Sequence, residues 1–464
     1  MAIGIFVKST RNSPDIAYAE LWGNRTSPDG TGKYDFLSHN TVYSTSFHPL
    51  KPEPPNWLFA PRVEPGDDIR AEFDDGLKMQ ELMPGALGPN GKPQSGLATM
   101  HDSFALSFSE DEVEDKVKRF LRTSNRKEAI EVFGTLCNPQ QWDYAAAKKT
   151  LSSRTWRQRI SRIWFSPFDI RYTVYDKAVA VHLRRRLSDH LFKRKNLALV
   201  IGEAGQEISG NEWDAVSCVD GILQLNYFRR NGSPTLPLYL YDDDLISTGS
   251  SSGRRINLSS TQLTRIAECL QLQMTKSGLP QGLEAEDIFN YAYAVFFSPG
   301  YRNRYAEFLK SEFPHLPLTG KLKLFHELAR LGGELVALHL MKSPKLKHPR
   351  TELIGDRRPE VEKVSWSNRT VWLDKAETAG FRGVPQAVWN FHIGGYQVCE
   401  KWLKDRKGRK LLKTDIDHYG KIVIALAETI DLMKNIDEAI EKHGGWPGAF
   451  GKRQVVEETD LVKA

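Results

Sequence analysis

Cysteine is scarce in this chain and scattered: Cys137, Cys218, Cys269 and Cys399 form no CxxC pair and have no histidine cluster beside them. That spacing argues against a zinc ribbon and against a disulfide framework, and it suits a reducing compartment. Long apolar runs are missing as well. No stretch approaches the ~20 residues of a membrane span, and the opening MAIGIFVKST has no signal-peptide cleavage region. The expectation is a soluble, cytoplasmic protein with no membrane partner.

The signatures of common enzyme sites are absent too. There is no GxxxxGK[ST] phosphate loop, no GxGxxG after a strand, no HExxH and no GxSxG elbow. Pro52 to Trp57 (PEPPNW) superficially matches the Asn/Asp-Pro-Pro-Tyr loop that holds a flipped adenine. Glu53 replaces its amide-binding acceptor and Asn56 its stacking ring, so the match fails on chemistry. Asp242 to Asp244 read as a solvated turn before a cation site, and His182 and His190 as hydrogen-bonding residues before a base. No nucleophile, base and orienting group assemble, so no catalytic, cofactor or metal residue is assigned in this chain.

What the sequence does hold is concentrated positive charge. The formal net charge is +6 over 464 residues, a balance that favours an anionic partner without requiring one. Between Leu151 and Lys195 there are twelve Lys or Arg against three Asp, whereas the region from Val63 to Asp115 is acidic. Arg154, Arg157, Arg171, Arg184, Arg185 and Arg186 lie in that basic stretch, and Lys404, Arg406, Lys407, Arg409 and Lys410 in a second one. Guanidinium forks suit phosphate oxygens and the acceptor edge of guanine, and Gly408 would let a backbone approach closely. A solvated face with ordinary ion pairs has the same composition, and charge alone weighs the two readings about evenly.

Hydrophobic spacing divides the chain. Ala2 to Lys8 and Ile16 to Trp22 read as a terminal hairpin. A Pro/Gly-rich connector occupies 48–109 and a helical connector 110–155, leaving 156–464 as a mixed α/β (α+β) domain with short strands and a helical C-terminal part. FDIRYTVYD, NLALVIGE and TLPLYLYDDD read as strands, and Ala178 to Leu183 as a short helix. Val361 to Trp366 and Val371 to Leu373 read as strands too. Helices are expected over Ala285 to Ser298, Tyr301 to Glu312 and Leu322 to Met341. A long one should run from Asp415 to Lys442, opened by Thr414 or Asp415 and closed by Gly444-Gly445. Trp389, Phe391, Tyr396 and Trp402 have apolar neighbours and read as core.

Five runs carry a resemblance: FDIRYTVYD, PLYLY, EDIFNYAYAVFFSPGYRNRYAEFLKSEFPHLPL, ELARLGGELVALHLM and VWNFHIGGYQVCEKWLKDRKGR. Together they resemble the C-terminal target-recognition, or specificity, domain of Type ISP restriction-modification enzymes and related adenine-specific DNA methyltransferase-helicase proteins of phage defence. IGIFVK, IAYAEL and KYDFL are similar to the last strands of such a methyltransferase domain. The resemblance implies double-stranded DNA as ligand, with the two basic stretches on its phosphates and unidentified loops reading its sequence. It also implies that S-adenosylmethionine belongs to a missing or partner methyltransferase domain, and that a methyltransferase or helicase-nuclease chain could dock at 1–47, where an unpaired hairpin edge is a pairing template. Two alternatives stay open: an active adenine methyltransferase component once a partner supplies the cofactor domain, and a non-enzymatic interaction scaffold.

Overall fold

The computed structural model describes residues 16–19, 32–50, 67–153, 155–202, 213–228, 232–241, 253–310, 312–348 and 350–451. The chain separates into two units, Met1–Gly66 and Asp67–Ala464. In the first, strand Ile16–Tyr18 pairs antiparallel with His48–Leu50. The expected partner strand, Ala2 to Lys8, lies outside the described residues. KYDFL, expected to resemble a strand, is instead the start of helix Lys33–His39, where the Asp35 carboxylate accepts from the Gly32 N–H at 3.0 Å and closes the first turn. Local capping outweighs the strand propensity of Tyr and Phe.

In the second unit a small helical core and a large mixed core share one continuous chain. Glu110–Arg122, Arg126–Phe133 and Tyr144–Ser152 are helices opened by Ser109, Asn125 and Asp143, each side chain accepting from the third amide along. They bury Phe104, Val117, Phe120, Phe133 and Trp142 against one face of the antiparallel hairpin Ile160–Ser166 and Asp169–Val174. Phe168 turns that hairpin at φ 63°.

The large core centres on the fully buried three-stranded sheet Val216–Val219, Ala198–Ile201 and Thr235–Pro237, in that spatial order, against helices Ala285–Phe297, Leu322–His339 and Lys413–Lys442. Two of these helices meet closely because Gly332 has no side chain: a Cβ there would lie 1.9 Å from the Asn290 carbonyl oxygen. The C-terminal helix begins two residues earlier than its spacing suggests; Asp415 sits in its first turn and accepts from the Leu412 N–H at 2.9 Å.

Several expectations change. Ala178 to Leu183 is not helical; it is pinned by a backbone bridge between Ala98 and His182, and the short helix falls just after it, at Arg185–Ser188. TLPLYLYDDD is broken at Leu238 into Thr235–Pro237 and Tyr239–Tyr241, the latter pairing with Arg254–Ile256. The Tyr301 to Glu312 helix is two pieces, Pro299–Arg304 and Ala306–Leu309. From residue 67 the connector is woven into the large core: Leu77 and Leu97 are buried, and its backbone bridges to Gln224 and Pro234. A four-stranded antiparallel sheet, ordered Glu352–Ile354, Gly380–Arg382, Thr370–Trp372, Ser365–Ser367, rests on the C-terminal helix through the Phe381 and Tyr419 rings, 4.4 Å apart. No described helix is long and apolar enough to cross a membrane.

Candidate nucleic-acid interface

The first basic stretch divides by burial. Arg171 is only 7 % exposed: its guanidinium grips the Asp169 carboxylate, Nη2 to Oδ2 at 2.7 Å, and lies over the Phe108 ring at 3.8 Å. In this structure that guanidinium faces Asp169 and Phe108 and not solvent, unlike the expected phosphate contact. Arg157 is half-buried, stacked on Trp156 at 4.6 Å with Glu114 3.5 Å away. Arg154 lies outside the described residues.

Arg184, Arg185 and Arg186 are different. Leu183 and Leu187 anchor the chain in the core on either side, while Arg184 takes a left-handed conformation at φ 51° that turns the backbone outward. All three arginines are exposed, and among the described residues none has a carboxylate partner. The nearby acids are engaged elsewhere. Asp189 accepts from the Tyr175 hydroxyl at 2.7 Å, and Asp176 accepts from the Ala178 N–H at 2.9 Å and faces Arg159. Beside them opens a cleft of about 590 Å³, lined by Gln141, Asp143, Lys177, His182, Arg184 and Arg185 among others. Sequence reasoning missed Gln141, Asp143 and Lys177, because they come from separate segments and no local spacing links them.

The second basic stretch is largely consumed within the protein. Arg406 is 4 % exposed: it donates to Asp169 Oδ1 and to the Trp402 carbonyl, each at 3.0 Å, and stacks on the Trp402 ring at 3.4 Å. It is therefore withdrawn from the expected DNA contacts. Burial alone would raise the Asp169 carboxyl pKa, but the Arg406 and Arg171 guanidiniums reverse that and hold it down to about 2. Arg409 donates to Glu112 at 3.0 Å and lies over the Phe108 ring at 4.0 Å. Lys401 bonds Asp405, and Lys404 bonds Glu400 at 2.9 Å. Lys407 and Lys410 alone in this stretch are exposed without a carboxylate partner among the described residues. Gly408 has a structural use: at φ 75° its N–H donates to the Val361 carbonyl at 2.8 Å, which docks the turn on the segment before strand Ser365–Ser367.

The preceding Gly-Gly pair is a packing corner. Gly394 and Gly395, both at positive φ, direct their N–H groups onto Asp214, and a Cβ at Gly394 would lie 1.9 Å from the Phe228 ring. Trp402 is fully buried, and Trp389 and Phe391 pack against the core. Cys399 is buried among apolar atoms, which pushes its thiol up to about 12, and His392 donates to the Asn390 carbonyl. His190 accepts from the Tyr241 N–H at 3.1 Å. None of these groups is placed as an acid, base or nucleophile, and no cluster of three metal-ligating side chains occurs among the described residues.

The family model for the Type ISP C-terminal specificity domain matches residues 92–435. This chain belongs to that family. Solved structures agree with the fold. A DrdV–DNA complex superimposes with TM-score 0.62 at 19 % identity, over 87 % of this chain and 41 % of that one. The ATP-dependent Type ISP restriction-modification enzyme LlaBIII bound to DNA gives 0.58 at 18 %, over 88 % and 26 %. A nuclease-deletion mutant of the Type ISP enzyme LlaGI with a DNA substrate mimic gives 0.60 at 15 %, over 93 % and 40 %. The chain thus spans between a quarter and two fifths of the length of these neighbours. No curated protein sequence matches it.

Proposed function

We propose that this chain recognises double-stranded DNA as the specificity part of a Type ISP-like restriction-modification system, with Arg184, Arg185, Arg186 and Lys177 on the phosphates. The observation that carries this reading is the coincidence of a specificity-domain family match with four exposed cations that have no carboxylate ion-pair partner among the described residues. Exposed guanidiniums are hydrated and free to meet an anion, and a duplex supplies one phosphate charge every ~1.7 Å of axis, whose condensed counterions are released on contact. Titrating the protein with duplex DNA at several salt concentrations tests it: binding should weaken linearly on a log–log plot as salt rises. Binding that is absent, or indifferent to salt, overturns the reading.

A partner is favoured by the first unit. Tyr43 is fully exposed, and Tyr34, Leu37, Val42 and Phe47 are each at least 40 % exposed. Apolar side chains gathered in so short a segment suit burial against another surface. A methyltransferase domain bearing S-adenosylmethionine, within a longer chain or on a separate one, is the proposed occupant. Methyl transfer from labelled S-adenosylmethionine to DNA should then require that domain and be lost when Leu37 and Tyr43 become Asp. Equal transfer by the variant would remove the docking role.

A further inference from the structure

The hairpin Ser365–Ser367 and Thr370–Trp372 reverses direction in two residues, Asn368 and Arg369, because Ser367 and Thr370 already face one another across the strands. Both turn residues are left-handed, at φ 48° and 59°. A two-residue turn of this kind favours Asn followed by Gly, since the second position needs backbone freedom that a side chain opposes. Here that position carries arginine. The backbone has a clear use for the conformation: the Arg369 carbonyl accepts from the Gly383 and Val384 N–H groups, both at 2.9 Å. Glycine would serve those two bonds equally well. The arginine side chain is therefore surplus to the fold, and strain retained at an exposed tip points to use of the side chain that causes it.

The side chain is also available and rigidly carried. Asn368 and Arg369 are exposed, and Arg369 has no carboxylate or aromatic partner among the described residues. Below the tip, Trp366 donates from Nε1 to the Val384 carbonyl at 3.0 Å and Trp372 from Nε1 to Ser367 Oγ at 2.8 Å. Val371 and Phe381 are buried in the large core. Strand Gly380–Arg382 flanks the hairpin on one side, so what it offers a groove is its two-residue tip, from which a guanidinium matches the paired O6 and N7 acceptors of guanine in the major groove of B-DNA.

We infer that the 365–372 hairpin is a base-reading element, with Arg369 contacting a guanine edge in the major groove. The inference rests on duplex DNA being the ligand of this chain and adds where sequence is read. Arg369→Gly is the informative variant, because it removes the side chain while giving the turn its preferred residue, so the thermal midpoint should hold or rise. Selection from a randomised duplex pool, followed by titration of the chosen site and its single-base variants, should show a guanine preference in the wild-type protein. Arg369→Gly should lose that preference at one position, by roughly 10- to 100-fold in discrimination, while keeping its affinity for unrelated duplex. An unchanged motif in Arg369→Gly overturns the assignment, and so does an equal loss on every sequence, which marks a phosphate contact. A wild-type protein that binds no duplex at any salt concentration fails at the earlier step and overturns DNA recognition itself.

Discussion

Residues 184–186 and residues 401–410 are both dense in positive charge along the chain, yet their charges have opposite fates in three dimensions. In the second segment the counter-charges arrive from far away: Asp169 reaches Arg406 and Glu112 reaches Arg409, across 237 and 297 positions. Phe108 lies against Arg171, Arg406 and Arg409 together, so the segment closes the junction between the small helical core and the C-terminal part. In the first segment the neighbouring acids are bound to other groups, and the arginines stay in water. The difference teaches that charge density in sequence measures how much charge exists, whereas availability depends on which carboxylates the fold delivers.

The largest effect should come from the consumed charges. Arg406→Ala strands Asp169 with Arg171 alone and empties the space over Trp402, which should cost about 3–5 kcal/mol of stability, read by urea unfolding. Folded Arg406→Ala protein should keep the wild-type salt dependence of DNA binding; a flatter dependence would break the contrast between the segments. Acid sharpens the same point. Because the folded-state pKa of Asp169 lies near 2, below the ~3.9 of a free aspartate, its contribution is complete above about pH 4 and is lost as pH falls toward 2. Asp169→Asn should remove that part of the acid slope, measured as unfolding free energy against pH.

Next in size is the exposed cluster. Arg184→Ala, Arg185→Ala and Arg186→Ala combined should lower the log–log salt slope by roughly 2 to 3. Affinity should fall by roughly 100- to 200-fold, similarly on all sequences, if each of the three contacts contributes about 1 kcal/mol. Stability should move by no more than ~0.5 kcal/mol, as for other surface changes. A large drop in thermal midpoint with unchanged binding would place these arginines in the same structural class as Arg406.

Much of the mixed fold was legible because helices declare themselves locally. The periodic apolar positions of 110–122, 322–339 and 413–442 each report one buried face, and the long ordered runs of residues gave the family resemblance. The Asp169–Arg406 and Glu112–Arg409 pairs were not legible, since nothing near one partner in sequence indicates the other. KYDFL misled because a three-residue capping bond decided its state, and Ala178 to Leu183 because apolar spacing over six residues cannot separate a helix from a buried turn held by a single bridge to Ala98. The Asn368-Arg369 turn left one trace: the expected strands stop at Trp366 and resume at Val371, and the gap between them is the reversal. Without Gly in it, the turn carried no ordinary hairpin signal.

The smallest effect should come from the exposed remainder of the consumed segment. Lys407 and Lys410 have no carboxylate partner among the described residues, so the contrast is not absolute. Their backbone is nevertheless fixed, through Gly408 on Val361 and through the bridge between Lys410 and Glu360. If the duplex lies against 184–186 and the 365–372 hairpin, these lysines contribute through the general field and not through contact, and such a field is screened within ~10 Å at 0.1 M salt. Lys407→Ala with Lys410→Ala should then weaken binding less than about threefold and lower the salt slope by under about one unit, in the same titration used for the arginines. A slope loss as large as that of the arginine triple would extend the DNA track across both segments, and would leave Arg171, Arg406 and Arg409, with the paired Lys401 and Lys404, on the structural side of the comparison.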